Sequence, residues 1–340
     1  MITRRVFVGG ASTAALVTGT RSAFAQKKYD DGANDREIKI GHFCPYSGPA
    51  SAYGVIGQAH QVFWKMVNET GGINGRKVVF VTMDDGYSPP KAVEVTRQMI
   101  EQDKVLCLFN TLGTPTNTAI HKYVNQKKVP QLFVSTGASK WGNPKEYPWT
   151  MGFQPDYHTE GVIYAKHALA TVKDAKIGVL MQNDDYGKDY YEGFRAGLGK
   201  DVGRIVKHVT YEVTDPTVDS QVIQLKDSGA NDNSQGVLTA QYLKDPTDKQ
   251  WANDAEMKTW REYMSKYMPQ ANQDDGNYIF AYAVATMMRE TLKKCGDTLT
   301  RENVMKQAAN FKDFRIPLLL PGINVSTSAT DFYPIQAVQL

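Results

Sequence analysis

From Glu37 onward, short apolar runs alternate with stretches whose apolar residues recur every three or four positions. Ile38–Cys44 is an apolar run of strand length, and Val55, Ile56, Ala59, Val62, Phe63 and Met66 then fall at helical spacing. The turn Gly71–Gly75 ends that helix, Lys77–Met83 gives a second strand, and Ser88-Pro89-Pro90 opens a helix through Ile100 with an N-cap and an early proline. Val105–Phe109, Pro115–Gln126 and Gln131–Val134 continue as strand, helix and strand. Strands alternating with amphipathic helices predict an α/β fold built on a parallel, doubly wound sheet.

After the aromatic connection Tyr147–Gln154 the rhythm restarts, so a second lobe is expected there. It reads as a helix from about Thr159 to Thr171, a strand at Lys176–Met181, a helix at Gly187–Lys200, a strand at Arg204–Tyr211 and a helix at Val218–Ser228. A buried apolar strand should follow, but the chain runs through the polar stretch Gly229–Gly236, and the second lobe is expected to be short of material. Val237–Tyr242 reads as a strand, and Trp251–Tyr267 as a helix carrying Met257, Trp260, Tyr263 and Met264. Tyr278–Lys294 is a more apolar helix ended by Cys295-Gly296, and Thr300–Asn310 is a helix with Thr298 or Thr300 as its cap. The tail Leu318–Leu340 has loop and strand character.

The first residues do not belong to this pattern. Arg4-Arg5 precedes an uncharged small and apolar stretch that ends in Ala23-Phe24-Ala25, which reads as a twin-arginine export leader over residues 1–25, cut after Ala25. The stretch from Val6 to Thr20 is short for a membrane-spanning helix. Of the 39 Lys and Arg, Arg4, Arg5 and Arg21 lie in the leader, leaving 36 against 36 Asp and Glu, so the formal +3 belongs to the leader alone. A neutral chain without a basic block offers nothing for nucleic acid or anionic lipid to recognise. The 315 residues beyond Ala25 exceed what one core usually supports, which also suggests two domains. Three cysteines, Cys44, Cys107 and Cys295, leave at least one unpaired; Cys44 and Cys107 sit in apolar strands as buried thiols or as a pair.

Catalytic chemistry finds little support. There is no G-x-S-x-G elbow, no phosphate-binding glycine loop, and the six histidines show no metal-ligand spacing. Asp84-Asp85 and Asp184-Asp185 end strands and read as turn formers. The small-residue loops say more. Leu112-Gly113-Thr114-Pro115 follows the third strand, with Thr114 as N-cap and Pro115 opening the helix, which places a hydroxyl and free backbone N–H groups at a positive helix end. The next strand ends in Ser135-Thr136-Gly137-Ala138-Ser139, again rich in donors. Both loops leave carboxyl ends of neighbouring strands, where open α/β sheets bind ligands. Tyr53, reached through Ser47–Gly54, and Tyr186, at the corresponding strand end of the second lobe, are candidate aromatic walls.

Taken together, Ile38-Lys39-Ile40-Gly41 with Ser47–Gly54, Asn68–Lys77, Asp84-Asp85 before Pro89–Ala92, and Asn183–Gly187 give a chain that resembles the type I periplasmic substrate-binding proteins of ABC importers. The similarity lies in the branch that includes leucine/isoleucine/valine-binding proteins. It implies two α/β lobes joined by crossover strands, residues 37–156 with about 277–320 forming one and 157–276 with about 321–340 the other. It implies a periplasmic monomer without cofactor, metal or enzymatic activity, closing on a small ligand, an amino acid by default or another organic acid, for delivery to an inner-membrane permease. The family's ligand positions fall on Tyr53, Leu112, Gly113, Thr114, Gly137, Ala138 and Ser139, with Tyr186 from the second lobe. The family's aromatic and acidic residues after Ser228–Ala230 have no counterpart here. On usual element lengths, about forty to fifty residues are expected to be missing between Ala230 and Asn231, and the chain stops soon after Tyr333-Pro334. A ligand-sensing module for a membrane receptor and a shortened paralogue with impaired binding are the alternatives.

Overall fold

The computed structural model describes residues 27–230 and 238–340. The leader expected at 1–25 and Val237, the first residue of an expected strand, lie outside the described residues.

The chain opens with β1 (Lys28–Tyr29) and then β2 (Glu37–Cys44), whose residues Ile40–Cys44 are all buried. Burial on both faces is why β2 reads as a continuous apolar run instead of an alternating one. A short 3-10 turn, Ser51–Tyr53, leads into α1 (Gly54–Glu69). Gly57 lets α1 lie close on the strand end, since a Cβ there would stand 2.1 Å from the Tyr46 hydroxyl oxygen. β3 (Lys77–Asp84) and α2 (Pro89–Arg97) follow, α2 running on as a π turn over Gln98–Gln102. β4 (Cys107–Phe109), α3 (Thr114–Gln126), β5 (Gln131–Val134) and β6 (Thr150–Gly152) complete the first unit. Its five strands are ordered β3-β2-β4-β5-β6, with parallel pairing throughout.

The second unit contains α4 (Tyr157–Thr171), β7 (Ile177–Gln182), α5 (Asp185–Leu198), β8 (Ile205–Tyr211) and α6 (Asp219–Asp227). Among the described residues its sheet is the parallel pair β7-β8. Its core is thin: Ala165, Leu198 and Val209 are buried, whereas Val206, Val222 and Ile223 are 40%, 51% and 58% exposed. The strand expected at Val237–Tyr242 is replaced, over 238–242, by the single antiparallel bridge Gln241–Gln339 and a Tyr242 carbonyl that accepts from the Leu320 N–H at 2.8 Å.

The chain then adds α7 (Ala255–Tyr267), α8 (Gly276–Cys295), β9 (Thr298–Leu299), paired with β1, and α9 (Arg301–Ala308), for which Thr300 supplies the cap. Met257, Trp260 and Met264 of α7 share one buried cluster with Ile38, Trp64 and Val284. Val325, Phe332 and Ile335 of the tail join the same cluster. Parts of 157–276 and 321–340, the stretches expected in the second lobe, thus share a buried cluster with residues of the first sheet, and α7 meets α8 through Tyr263 and Tyr282 at 4.9 Å. The three cysteines are free and buried, so Cys44 and Cys107 are not paired, and burial pushes the Cys44 and Cys295 thiols up to about 12.

Candidate functional site

The winding of the first sheet reverses between β2 and β4, and the loops leaving the carboxyl ends of β2, β4 and β5 flank that point. A buried polar scaffold fixes them. The His60 Nε2 and Asn110 Oδ1 are 2.9 Å apart, and the Asn110 amide donates to the Phe133 carbonyl at 2.7 Å. Asn117 accepts from Gln131 at 2.7 Å and donates to the Thr111 and Gly113 carbonyls at 3.0 and 2.7 Å. Phe133 adopts φ 56° where the β5–β6 register shifts, a bulge that redirects the strand just before its loop. Leu112 and Ser135 are joined by a parallel bridge, so the two loops form one surface.

Gly113 precedes α3 at φ 100° and ψ 137°, a conformation that favours glycine, and it occupies the cap position expected for Thr114. Thr114 is instead the first helical residue and Pro115 the second. Freed from capping, the Thr114 hydroxyl meets that of Thr136 at 2.6 Å. The Thr114 and Thr116 N–H groups lie in the first turn, where the helix offers them no acceptor.

These loops open on a cleft of about 860 Å³ between the two units. It brings together Tyr53, Leu112, Gly113 and Thr114 from the first unit and Tyr186 from the second. Gly137, Ala138 and Ser139 are not part of the lining. Gly137 is covered by Tyr157, whose N–H donates to its carbonyl at 2.8 Å, and Ala138 is buried with Val134 and Trp141. Ser139 spends both donors across the gap: its N–H and hydroxyl bind the Asp189 carboxylate on α5 at 2.7 and 2.8 Å. Its carbonyl accepts from the Tyr333 hydroxyl. Beside it, Lys140 reaches Asp185 at 2.5 Å. Ser139 and Lys140 therefore form a polar latch that holds the units in contact.

Sequence reasoning missed this latch, and it missed most of the aromatic lining. Tyr87, Tyr157 and Tyr190 join the cleft, with Gln154 and Gln182 as polar neighbours. Tyr87 sits at φ 59° three residues past β3, and the adjacent Gly86 is the one local signal of that turn. Asp184 caps α5 by accepting the N–H groups of Tyr186 and Gly187 at 3.0 and 3.2 Å, which fixes the base of the Tyr186 ring. Burial raises the Tyr186 phenol to about 12, so it is a neutral donor at physiological pH. Lys244 is a lining cation, but its ammonium is held by Asp254 and Glu256 at 2.7 and 2.8 Å. Among the described residues no cluster of three or more His, Cys, Asp or Glu has the arrangement of a metal site.

Two wound α/β units facing each other across a cleft, with loops from parallel strand ends on one side, constitute a two-lobed binding architecture. The profile of the family described as periplasmic binding protein matches residues 37–242. The chain belongs to the periplasmic binding protein family. Its fold is that of the type I periplasmic binding proteins. It is 24% identical over 209 residues to Leu/Ile/Val-binding protein homolog 3 of Brucella melitensis, covering 61% of this chain and 54% of that one. The chain spans about half the length of the curated relatives it matches. A branched chain amino acid ABC transporter protein from Thermus thermophilus, solved with bound valine, superposes with a TM-score of 0.78 at 13% identity, covering 89% and 92% of the two chains. A solute binding protein of an ABC transporter from Rhodopseudomonas palustris BisB5, in complex with 3,4-dihydroxy benzoic acid, gives 0.68 at 17% identity, covering 85% and 89%. At these identities the structural likenesses establish the fold of this periplasmic binding protein and leave its ligand to its own residues.

Proposed function

We propose that this protein is the extracytoplasmic solute-binding component of an ABC importer, capturing a small carboxylate-bearing solute between its lobes and handing it to a membrane permease. It performs no chemistry of its own. The observation that carries this reading is the donor set at the strand ends: Thr114, with its first-turn N–H, and Thr136 face a cleft that both lobes line, and their paired hydroxyls leave one O–H free to donate. A carboxylate there is stabilised by the positive end of α3 without a formal cation. Tyr53 and Tyr186 serve as walls on the two sides. Gly137, Ala138 and Ser139 shape the loop, and Ser139 acts through the latch to Asp189. Export to the periplasm through the twin-arginine leader fits a family of periplasmic proteins, and amino acids are the default ligand class on the naming of its relatives.

Calorimetric titration with a panel of amino acids and organic acids tests the reading. Binding at a micromolar or lower dissociation constant is expected, and heat from no member of the panel would overturn it. One observation favours a second reading, a paralogue whose second lobe is impaired in closing: α6 buries none of its residues. Thermal melting separates the two, because a competent binder is raised in melting temperature by its ligand.

A further inference from the structure

The cleft has an aromatic character that the donor set alone does not require. Seven of its lining residues are tyrosines. Tyr157 stacks on Tyr190 at 4.6 Å and meets Tyr186 edge-on at 5.0 Å, and Tyr186 meets Tyr190 edge-on at 5.4 Å. These three rings form one rigid wall. The wall is braced from behind by the buried Glu160 carboxyl, to which the Tyr190 hydroxyl donates at 2.6 Å, and at its edge by Gln154, whose amide donates to the Tyr157 hydroxyl at 3.2 Å. Tyr53, 48% exposed, belongs to the other lobe. Tyr53 lines the same cleft as this wall, with Tyr211 beside them. A cleft that carries tyrosine rings on both lobes suits a flat, apolar ligand, because aromatic pairs gain from stacked and edge-on geometries beyond the area they bury.

Among the described residues the acids that line the cleft, Asp245, Asp274 and Asp275, are exposed or half-exposed, so none offers an α-ammonium a buried partner. Glu160 is covered by Tyr190 and Tyr164 and is not part of the lining. Asp275 caps α8 through the Asn277 N–H at 2.9 Å, and Asp245 accepts from the Thr247 N–H and hydroxyl at 2.8 and 2.7 Å. Asp274 is exposed two residues before α8, where an ammonium would remain in water and the ion pair would contribute little.

Resting on the carboxylate-binding reading above, we propose that the solute is a planar aromatic carboxylate, its ring held between Tyr53 and the Tyr186–Tyr157–Tyr190 wall and its carboxylate at Thr114 and Thr136. The aliphatic amino acids are not its ligands.

Calorimetry on the purified protein with benzoate, 4-hydroxybenzoate, 4-hydroxycinnamate, leucine, valine, octanoate and tyramine tests this. At least one aromatic acid binds at least tenfold more tightly than leucine, valine and octanoate, and tyramine, which keeps the ring and loses the carboxylate, binds no better than leucine. Tyr53→Leu and Tyr186→Leu each weaken the aromatic acid about fivefold or more, the scale of one ring contact, while circular dichroism and the ligand-free melt confirm folding. If leucine or octanoate binds and no aromatic acid does, the inference is overturned and the carboxylate-binding reading stands. If tyramine binds as well as the aromatic acids, the carboxylate-binding reading fails. If no compound binds, both fail. Unchanged affinity in both folded tyrosine variants also overturns the inference.

Discussion

Replacing Asp189 by Ala removes the acceptor that joins α5 to the Ser139 loop. Two hydrogen bonds to a carboxylate are lost, at 2.7 Å from the Ser139 N–H and 2.8 Å from its hydroxyl. Bonds to charged groups contribute about 1.5–3 kcal/mol each when shielded. Asp189 and Ser139 are only partly buried, and water replaces much of what is lost. A combined loss of about 2 kcal/mol, roughly thirtyfold in an equilibrium constant, is the reasonable scale. Because ligand affinity is diluted by the fraction of molecules in the closed form, the apparent Kd rises by up to the same factor. Asp185→Asn should do less, since its pair with Lys140 is more exposed and such pairs contribute up to about 1 kcal/mol. The assay is single-molecule energy transfer between dyes on Lys122→Cys and Lys200→Cys, both exposed positions on the two lobes. Burial that keeps the three native thiols protonated also keeps them from competing for the dye. Asp189→Ala should shift the distance distribution toward longer separations and require more ligand to restore the short one. Identical distributions and identical ligand dependence in the two proteins would refute the latch.

Three further outcomes follow from the packing. Stability should fall between pH 6.5 and 4: burial holds His42 at about 4 and His60 below its ordinary value, so the unfolded chain binds more protons in that window, and His42 alone accounts for about 3 kcal/mol present above it. Asp85 and Glu160, raised by burial to about 6, act in the opposite sense and offset part of this loss. Urea titrations at pH 7, 6 and 5 that show flat or rising stability would contradict the histidine account. Trp260→Ala should cost about 3–5 kcal/mol by urea denaturation, because the ring is fully buried in the cluster that joins α7 to the first sheet; a loss below about 1 kcal/mol would place α7 outside that core. Ile223→Lys should leave stability within about 0.5 kcal/mol and lower aggregation on heating, since the side chain is 58% exposed on α6; a larger loss would show that α6 is packed.

The elements of the first sheet were legible because burial on both faces writes continuous apolar runs, as in Ile38–Cys44, and the intervening helices keep one apolar stripe. The partners of α7 were not legible. Met257, Trp260 and Met264 mark a helix with a core face, but nothing in their spacing says which core receives it. Five candidate ligand positions meet at one cleft because they sit at strand ends, a property of chain order. Ser139 looked equivalent to Thr114 in sequence; only Asp189, fifty positions away, shows that its donors are already engaged. Thr114 was given a cap role that Gly113 fills, since a glycine at positive φ can turn the chain into α3 with no side-chain acceptor. The aromatic wall was hidden for the same reason as the latch: Tyr157, Tyr186 and Tyr190 lie on two helices whose close packing a linear pattern does not reveal.

A crystal structure of the protein soaked with the tightest-binding aromatic acid of the panel tests the central claim most directly. The ligand carboxylate should lie within hydrogen-bonding distance of the Thr114 and Thr136 hydroxyls, its ring between Tyr53 and Tyr186. A ligand bound away from the α3 N-terminus, or held with its carboxylate turned out to solvent, would contradict the account.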